Sequence, residues 1–293
     1  MQEKMRARAK DLLSDGSVKR VLAWKKGDFP TNPEPAFFNT VQELDNMVYD
    51  KFCSSNLSNI MIDAAKCDGK TLVFLKPCDT YSFNQLSKEH RVSREKSFII
   101  GVGCEGNVKI EEMEEVGLFE RCEICTKTNH VVFDELIGED VKPRNGKNRF
   151  DPVVAVEQMS PEERFAFWRL QFSRCIRCNA CRNFCPACNC KKCVFDNTKY
   201  DVQQKANVTP FEEQLFHVIR AYHVAGRCTD CGECSRVCPQ NIDLQLLNRK
   251  LIKDINELYG EYQAGDDKEA MNPLTHFNMD ADPEPGIVHE RGN

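Results

Sequence analysis

The sequence predicts a chain of two structural classes. Residues 1–150 read as an α/β domain, and residues 151–260 as an α+β domain built on cysteines with flanking helices. An acidic tail follows over 261–293. Three observations predict this. Two apolar stretches, Thr71–Leu75 and Ser97–Val102, enclose one helical stretch, which is the plan of a parallel β-α-β unit. Two runs of four cysteines share one spacing. Helix-start and helix-stop residues surround those runs.

In chain order, residues 2–15 form a helix with Met5, Ala9, Leu12 and Leu13 near one face, and Asp15-Gly16-Ser17 ends it. Residues 18–24 are a short strand. Pro30, Pro33 and Pro35 then argue against any regular element. Residues 41–49 and 57–65 read as helices, the second capped by Asn56 or Ser58. After the strand at 71–75, Lys76-Pro77-Cys78-Asp79 reads as a loop leading into a helix over 81–88. The strand at 97–102 closes at Gly103-Cys104. Residues 138–152, polar and rich in Gly, Pro and basic residues, suit a linker. Ser160-Pro161-Glu162-Glu163 is a capping box with proline at the first helical position, so a helix runs from there to about Phe172. Residues 211–225 form a helix whose apolar face is Leu215, Val218, Ile219 and Tyr222. Residues 243–259 form another through Leu244, Leu247, Leu251 and Ile255. From Gly260 the tail has few strong apolar positions and reads as unstructured or wrapped on a partner.

The chemistry lies in Cys175, Cys178, Cys181 and Cys185, followed by Pro186, and in Cys228, Cys231, Cys234 and Cys238, followed by Pro239. Both are the C-x2-C-x2-C-x3-C-P run of bacterial ferredoxins, so the second domain is α+β and ferredoxin-like with two 4Fe-4S clusters. Three cysteines spaced by two wrap three corners of a cubane, and the fourth ligates the other cluster. One cluster therefore takes Cys175, Cys178, Cys181 and Cys238. The other takes Cys228, Cys231, Cys234 and Cys185. Zinc, the alternative for C-x2-C pairs, has no use for the crossed fourth ligand. Arg174, Arg177, Arg182, Arg227 and Arg236 crowd these runs and suit offsetting cluster charge or docking an acidic partner.

Nine cysteines remain of seventeen. Cys78 and Cys104 each follow a strand's carboxyl end, where open α/β sheets gather ligands. Cys122 and Cys125 form a C-x2-C pair. These four could converge on a third metal site, most directly a third 4Fe-4S cluster, with Cys53 as substitute or extra ligand. Buried free thiols, a zinc site or a redox pair are the alternatives. Cys67 reads as a bystander. Cys188, Cys190 and Cys193 could bind a further cluster with an N-terminal thiolate, replace a ligand, or surround the clusters. His217 and His223, six residues apart, share no helix face and read as surface or core residues. Gly101-Val102-Gly103-Cys104-Glu105-Gly106 matches G-x-G-x-x-G, but a loop presenting Cys104 explains it better than a phosphate loop.

Composition narrows the setting. A net charge of −5 gives no nucleic-acid signature, and no apolar run reaches membrane-spanning length. The N-terminal residues lack the apolar core of a secretory signal. Seventeen cysteines without such a signal point to metal or redox work in a reducing cytoplasm, in an anaerobic setting. No nucleophile with an evident base is present, so the expectation is electron transfer rather than bond chemistry.

The combination KPCDTYSFNQL, REKSFIIGVGCEG, RCEICTKT, MSPEERFAFWRLQFSRCIRCNACRNFCPACNCKKC and AGRCTDCGECSRVCPQNIDLQLLNRKL resembles a known family over residues 18–260. It is similar to the iron–sulfur β-type subunits of deazaflavin-dependent hydrogenases and formate dehydrogenases. It resembles more closely the small dicluster subunits that accompany heterodisulfide-reductase-like flavoproteins. The iron–sulfur A subunit of anaerobic sulfite reductase is similar in plan. The resemblance implies an electron-transfer subunit between a dehydrogenase or hydrogenase and such a flavoprotein. Larger members hold FAD through a portion after the ferredoxin module, and no such portion follows Asn293 here. FAD on this chain, with reduction of a deazaflavin or NAD, is therefore the alternative, and a zinc-stabilised interaction module is the third reading.

Overall fold

A computed structural model describes residues 1–112, 114–138, 148–196, 209–276, 278–280 and 282. Helix α1 (Gln2–Ser14) precedes a mixed sheet of β1 (Arg20–Lys25), β2 (Glu34–Phe38), β3 (Met47–Val48), β4 (Thr71–Leu75), β5 (Ser97–Val102) and β8 (Glu135–Ile137). The order is β2-β1-β4-β5-β8, with β3 also pairing β1. Pairings from β1 through β4 and β5 to β8 are parallel, and β2 and β3 join β1 antiparallel. All five residues of β4 are buried, as a parallel strand covered on both faces requires. Met5, Ala9 and Leu12 of α1 join that core.

Several local expectations change. Pro35 lies inside β2, opposite Trp24; β2 is the edge strand, the place where a missing N–H is tolerated. Residues 41–49 are not a helix but a 3-10 turn, Gln42–Asn46, running into β3. Residues 57–65 shrink to a 3-10 turn, Leu57–Asn59, capped by Asn56, and a short α2 (Met61–Ala64). Helix α3 (Pro77–Lys88) starts earlier than the loop reading had it, with Pro77 at its first position, so Cys78 sits in a helical first turn. Beyond β5 come a hairpin of β6 (Val108–Glu111) and β7 (Glu114–Leu118), then the single-turn α4 (Glu120–Glu123). A hairpin in that place denies the glycine-rich loop the helix N-terminus that phosphate binding needs. Most of the linker reading, residues 139–147, lies outside the described residues.

The cysteine-rich half, expected to be α+β, has only helices and turns among its described residues: α5 (Asp151–Glu157), α6 (Pro161–Ser173), α7 (Ala180–Asn183), α8 (Pro210–Val224), α9 (Glu233–Arg236) and α10 (Leu244–Tyr259). The Ser160–Glu163 capping box is present. Asp243 caps α10 through the Leu246 N–H. Helix α8 turns the opposite way from its apolar pattern. It buries Glu213, Phe216, His217, Arg220, Ala221 and Val224, while Leu215 and Tyr222 are exposed. The polar stripe faces the cysteine runs, and there charge has partners that an apolar core would not offer. The start of the tail packs on this same chain: Asn84 Nδ2 donates to Asp266 O at 3.4 Å, and Gly265 lies against the Tyr81 backbone.

Candidate metal centre

The two runs fold alike. Arg177 and Asn179 in the first, and Asp230 and Gly232 in the second, occupy matching positions with φ of 55°, 61°, 56° and 71°. Three of these four are not glycine, and left-handed backbone costs such residues about 1–2 kcal/mol each. The turn wraps the cysteines inward, and the Arg177 N–H donates to Cys175 Sγ at 3.4 Å. Short α7 and α9 follow in register.

Cys175, Cys178, Cys181 and Cys238 line one cavity of about 20 Å³. Cys185 stands with Cys228, Cys231 and Cys234, and its charge bears on all three. The fold thus gathers Cys238 of the second run with three cysteines of the first, and packs Cys185 of the first beside Cys228 of the second. Burial pushes the Cys181 thiol up to about 11 and those of Cys231 and Cys234 to about 12. Cys185 differs: a hydrogen bond from Cys188 holds it below the ordinary thiol range against burial, helped by Arg220. Buried thiols that would have to ionise side by side fit a cationic iron–sulfur core, which supplies the missing positive charge.

Arg220 stands between the two sets. It is 3 % exposed, its Nη2 donates to Cys181 O at 3.1 Å, and no carboxylate among the described residues pairs with it. A guanidinium cannot shed its charge. The anionic groups bearing on it are Cys181, Cys185, Cys188 and Cys234. Sequence reasoning passed over Arg220 and read His217 as a surface or core residue; it is a core one. The signal was present as charge recurring along α8 between two cysteine runs. The arginines that it did select are mostly engaged within the chain: Arg182 with Asp196, Arg227 with Glu89 and Arg236 with Glu233, while Arg177 stacks on Phe216.

On the sheet side, Cys78, Cys104, Cys122 and Cys125 line one cavity of about 50 Å³. Cys78 comes from α3 after β4, Cys104 from the end of β5, and the pair from α4 and its exit. The Gly106 N–H donates to Cys104 Sγ and the Asn107 N–H to Cys122 Sγ, both at 3.4 Å. Burial lifts Cys78 and Cys104 above the ordinary thiol. Cys53 does not reach this cavity; it is fully buried in the sheet core, where its Sγ meets Val48 O and Asp50. Cys67 is exposed and separate. Beneath the site, buried Lys76 donates to Cys53 O and Ser55 O, both at 2.8 Å, pairs with Asp79 at 3.3 Å, and lies 4.5 Å from the Trp24 ring.

Cys231 and Asp230 of the second run line this same cavity. Arg121 ties the halves there. It donates to Cys231 O at 2.7 Å, Glu233 Oε1 at 2.8 Å and Ser54 O at 2.9 Å. Glu89 of the sheet half takes both guanidinium arms of Arg227, at 2.7 and 2.6 Å.

Residues 171–242 match the 4Fe-4S dicluster domain family. The chain is an iron–sulfur protein. It is 24% identical to the F420-dependent formate dehydrogenase subunit beta of Methanocaldococcus jannaschii, over 92% of this chain and 93% of that one. It is 23% identical to the F420-dependent formate dehydrogenase 1 subunit beta of Methanococcus maripaludis, over 89% and 90%. The first alignment spans 358 positions, more than the 293 residues here, so that relative carries segments inserted within the matched span. No helix among the described residues is long and apolar enough to cross a membrane.

Proposed function

We propose that this chain is the electron-transfer subunit of a formate-dehydrogenase-type complex, carrying three 4Fe-4S clusters. The first is on Cys175, Cys178, Cys181 and Cys238, the second on Cys228, Cys231, Cys234 and Cys185, and the third on Cys78, Cys104, Cys122 and Cys125. Bound clusters supply one-electron storage at potentials set by ligation, hydrogen bonding and burial. The residues supply the path. The carrying observation is that Cys231 lines the cavity of the N-terminal thiols, while Arg220 adjoins both ferredoxin-type sets. The three sets therefore form one row. One end serves a formate-oxidising subunit, and the other a heterodisulfide-reductase-like flavoprotein in the cytoplasm.

The test is anaerobic co-purification followed by reduction with formate. Formate should bleach the chain only when a formate-oxidising partner is present. Bleaching by formate of the isolated chain, or an iron content near four per chain, would sink the reading. The relatives, which match this chain over most of both lengths, are named F420-dependent, and this favours a second reading in which the chain itself serves a deazaflavin, with a bound flavin as the go-between. Flavin absorbance in the isolated chain decides between the two.

A further inference from the structure

We propose that Cys188, Cys190 and Cys193 hold an additional iron–sulfur cluster, with His223 as nitrogen donor across the cavity. Nothing in the ferredoxin pattern uses these four side chains. They line one cavity of about 160 Å³, larger than the cavities at Cys175–Cys238 and at the N-terminal thiols. Four donors match the four corners of a cubane, and imidazole replaces thiolate in some iron–sulfur centres.

Charge supports the assignment. Arg182, Arg220 and Arg227 line the same cavity. Arg182 is balanced by Asp196 and Arg227 by Glu89, but Arg220 has no carboxylate among the described residues. A cluster on several thiolates would bring negative charge to that wall. The same donors would also suit a zinc ion, and the iron and zinc contents measured below separate the two.

Position completes the argument. Cys188 packs beside Cys185 and Cys228, members of the second set. Cys190 is exposed. The site therefore runs from the second set to the surface, and gives the row a second exit to a redox partner.

The test uses the full chain purified anaerobically, in two measurements. In the native protein, peptide mapping after iodoacetamide should show Cys190 and Cys193 protected, despite the exposure of Cys190, and labelled only after acid removes the metal. The double variant Cys190→Ser/Cys193→Ser should lose about four iron atoms per chain, with the dicluster signals retained. Ready alkylation of both thiols in the native protein, a disulfide between them, or loss of zinc with unchanged iron would each overturn the proposal. The mapping needs no variant, so a folding failure leaves it decisive. Cys122→Ser/Cys125→Ser should leave the protection of Cys190 in place, so this site and the N-terminal one fail separately.

Discussion

Around the sheet, Val21, Leu22, Val73, Phe74, Ile99 and Ile100 belong to one continuous buried core that extends from Met5 to Val102. Among the described residues, the cysteine-rich half has instead three small clusters. One contains Cys175, Cys181 and Cys234, and another contains Cys185. The sheet half is held by apolar area, each fully buried Leu, Ile or Phe contributing about 1.5–3 kcal/mol. The cysteine half depends on what its thiols bind, because folding free energy and metal-binding free energy are then one quantity. The largest expected effect follows. Chelating iron under anaerobic conditions should make residues 175–242 protease-sensitive while the sheet half survives as a resistant fragment, read by mass spectrometry. Simultaneous digestion of both would mean that the interface, not the separate cores, holds the chain.

The interface can be broken piece by piece. Arg121→Met removes a buried cation from Glu233, which is 1 % exposed. Glu233 keeps Arg236 at 2.8 Å, so the loss should fall near the low end for a broken buried pair, about 3 kcal/mol in anaerobic denaturant unfolding. Gly232→Ala should come next. Its φ is +71°, and a Cβ there would stand 2.5 Å from Arg121 Cδ, so about 1–2 kcal/mol is expected from the backbone alone. The matching Asn179→Gly in the first run should cost nothing, because that turn already accepts φ of 61° without glycine. Equal effects at the two positions would remove the asymmetry. Glu89→Gln should be milder, about 1–2 kcal/mol. Burial pushes this carboxyl up, but hydrogen bonds from Arg227, Asn189 and Gln85 hold it below the usual range. Its contribution is therefore full above the unfolded value of about 4.3 and is lost as pH falls through the lower folded one. The variant should flatten that acid limb of the stability curve.

The two halves were also unequally legible. Spacing alone assembles the ferredoxin-type sets, because each run is local and its ligands need only one crossing. The N-terminal set required the sheet: Cys78 and Cys104 meet because β4 and β5 are parallel neighbours, with Leu75 beside Gly101. Single-turn α4, which carries Cys122, is too short to leave a period. Helix α8 misled for a physical reason. Its period was correct, but the assumption that only apolar residues point inward fails beside thiolate sites, where Glu213, His217 and Arg220 are buried together with Phe216, Ala221 and Val224. Cys188, Cys190 and Cys193 were visible as residues. Their shared cavity was not, since His223 and Arg227 reach it from thirty or more residues away.

His217 offers the finest test of what that polar stripe does. Its ring stacks on Phe172 at 4.6 Å and meets Phe216 edge-on at 5.1 Å. Among the described residues neither nitrogen has a hydrogen-bond partner, and the residue lines the cavity of Cys175, Cys178, Cys181 and Cys238. Burial, then the charges of Arg220 and Arg177, pushes its pKa down to about 3, so the imidazole is neutral and keeps one N–H. In the sheet half the N–H groups that donate to sulfur are backbone ones, of Gly106 and Asn107, which no substitution but proline removes. His217→Phe preserves the stack, so stability should change by less than about 0.5 kcal/mol, the size of a neutral substitution. An N–H that a bound cluster's sulfur accepts would favour the more negative, reduced state. Its loss should therefore lower the midpoint potential of one cluster, followed by EPR-monitored titration, and leave the others in place. An unshifted potential with improved stability would mean that the ring only fills space, and that the polar stripe of α8 serves packing rather than electron transfer.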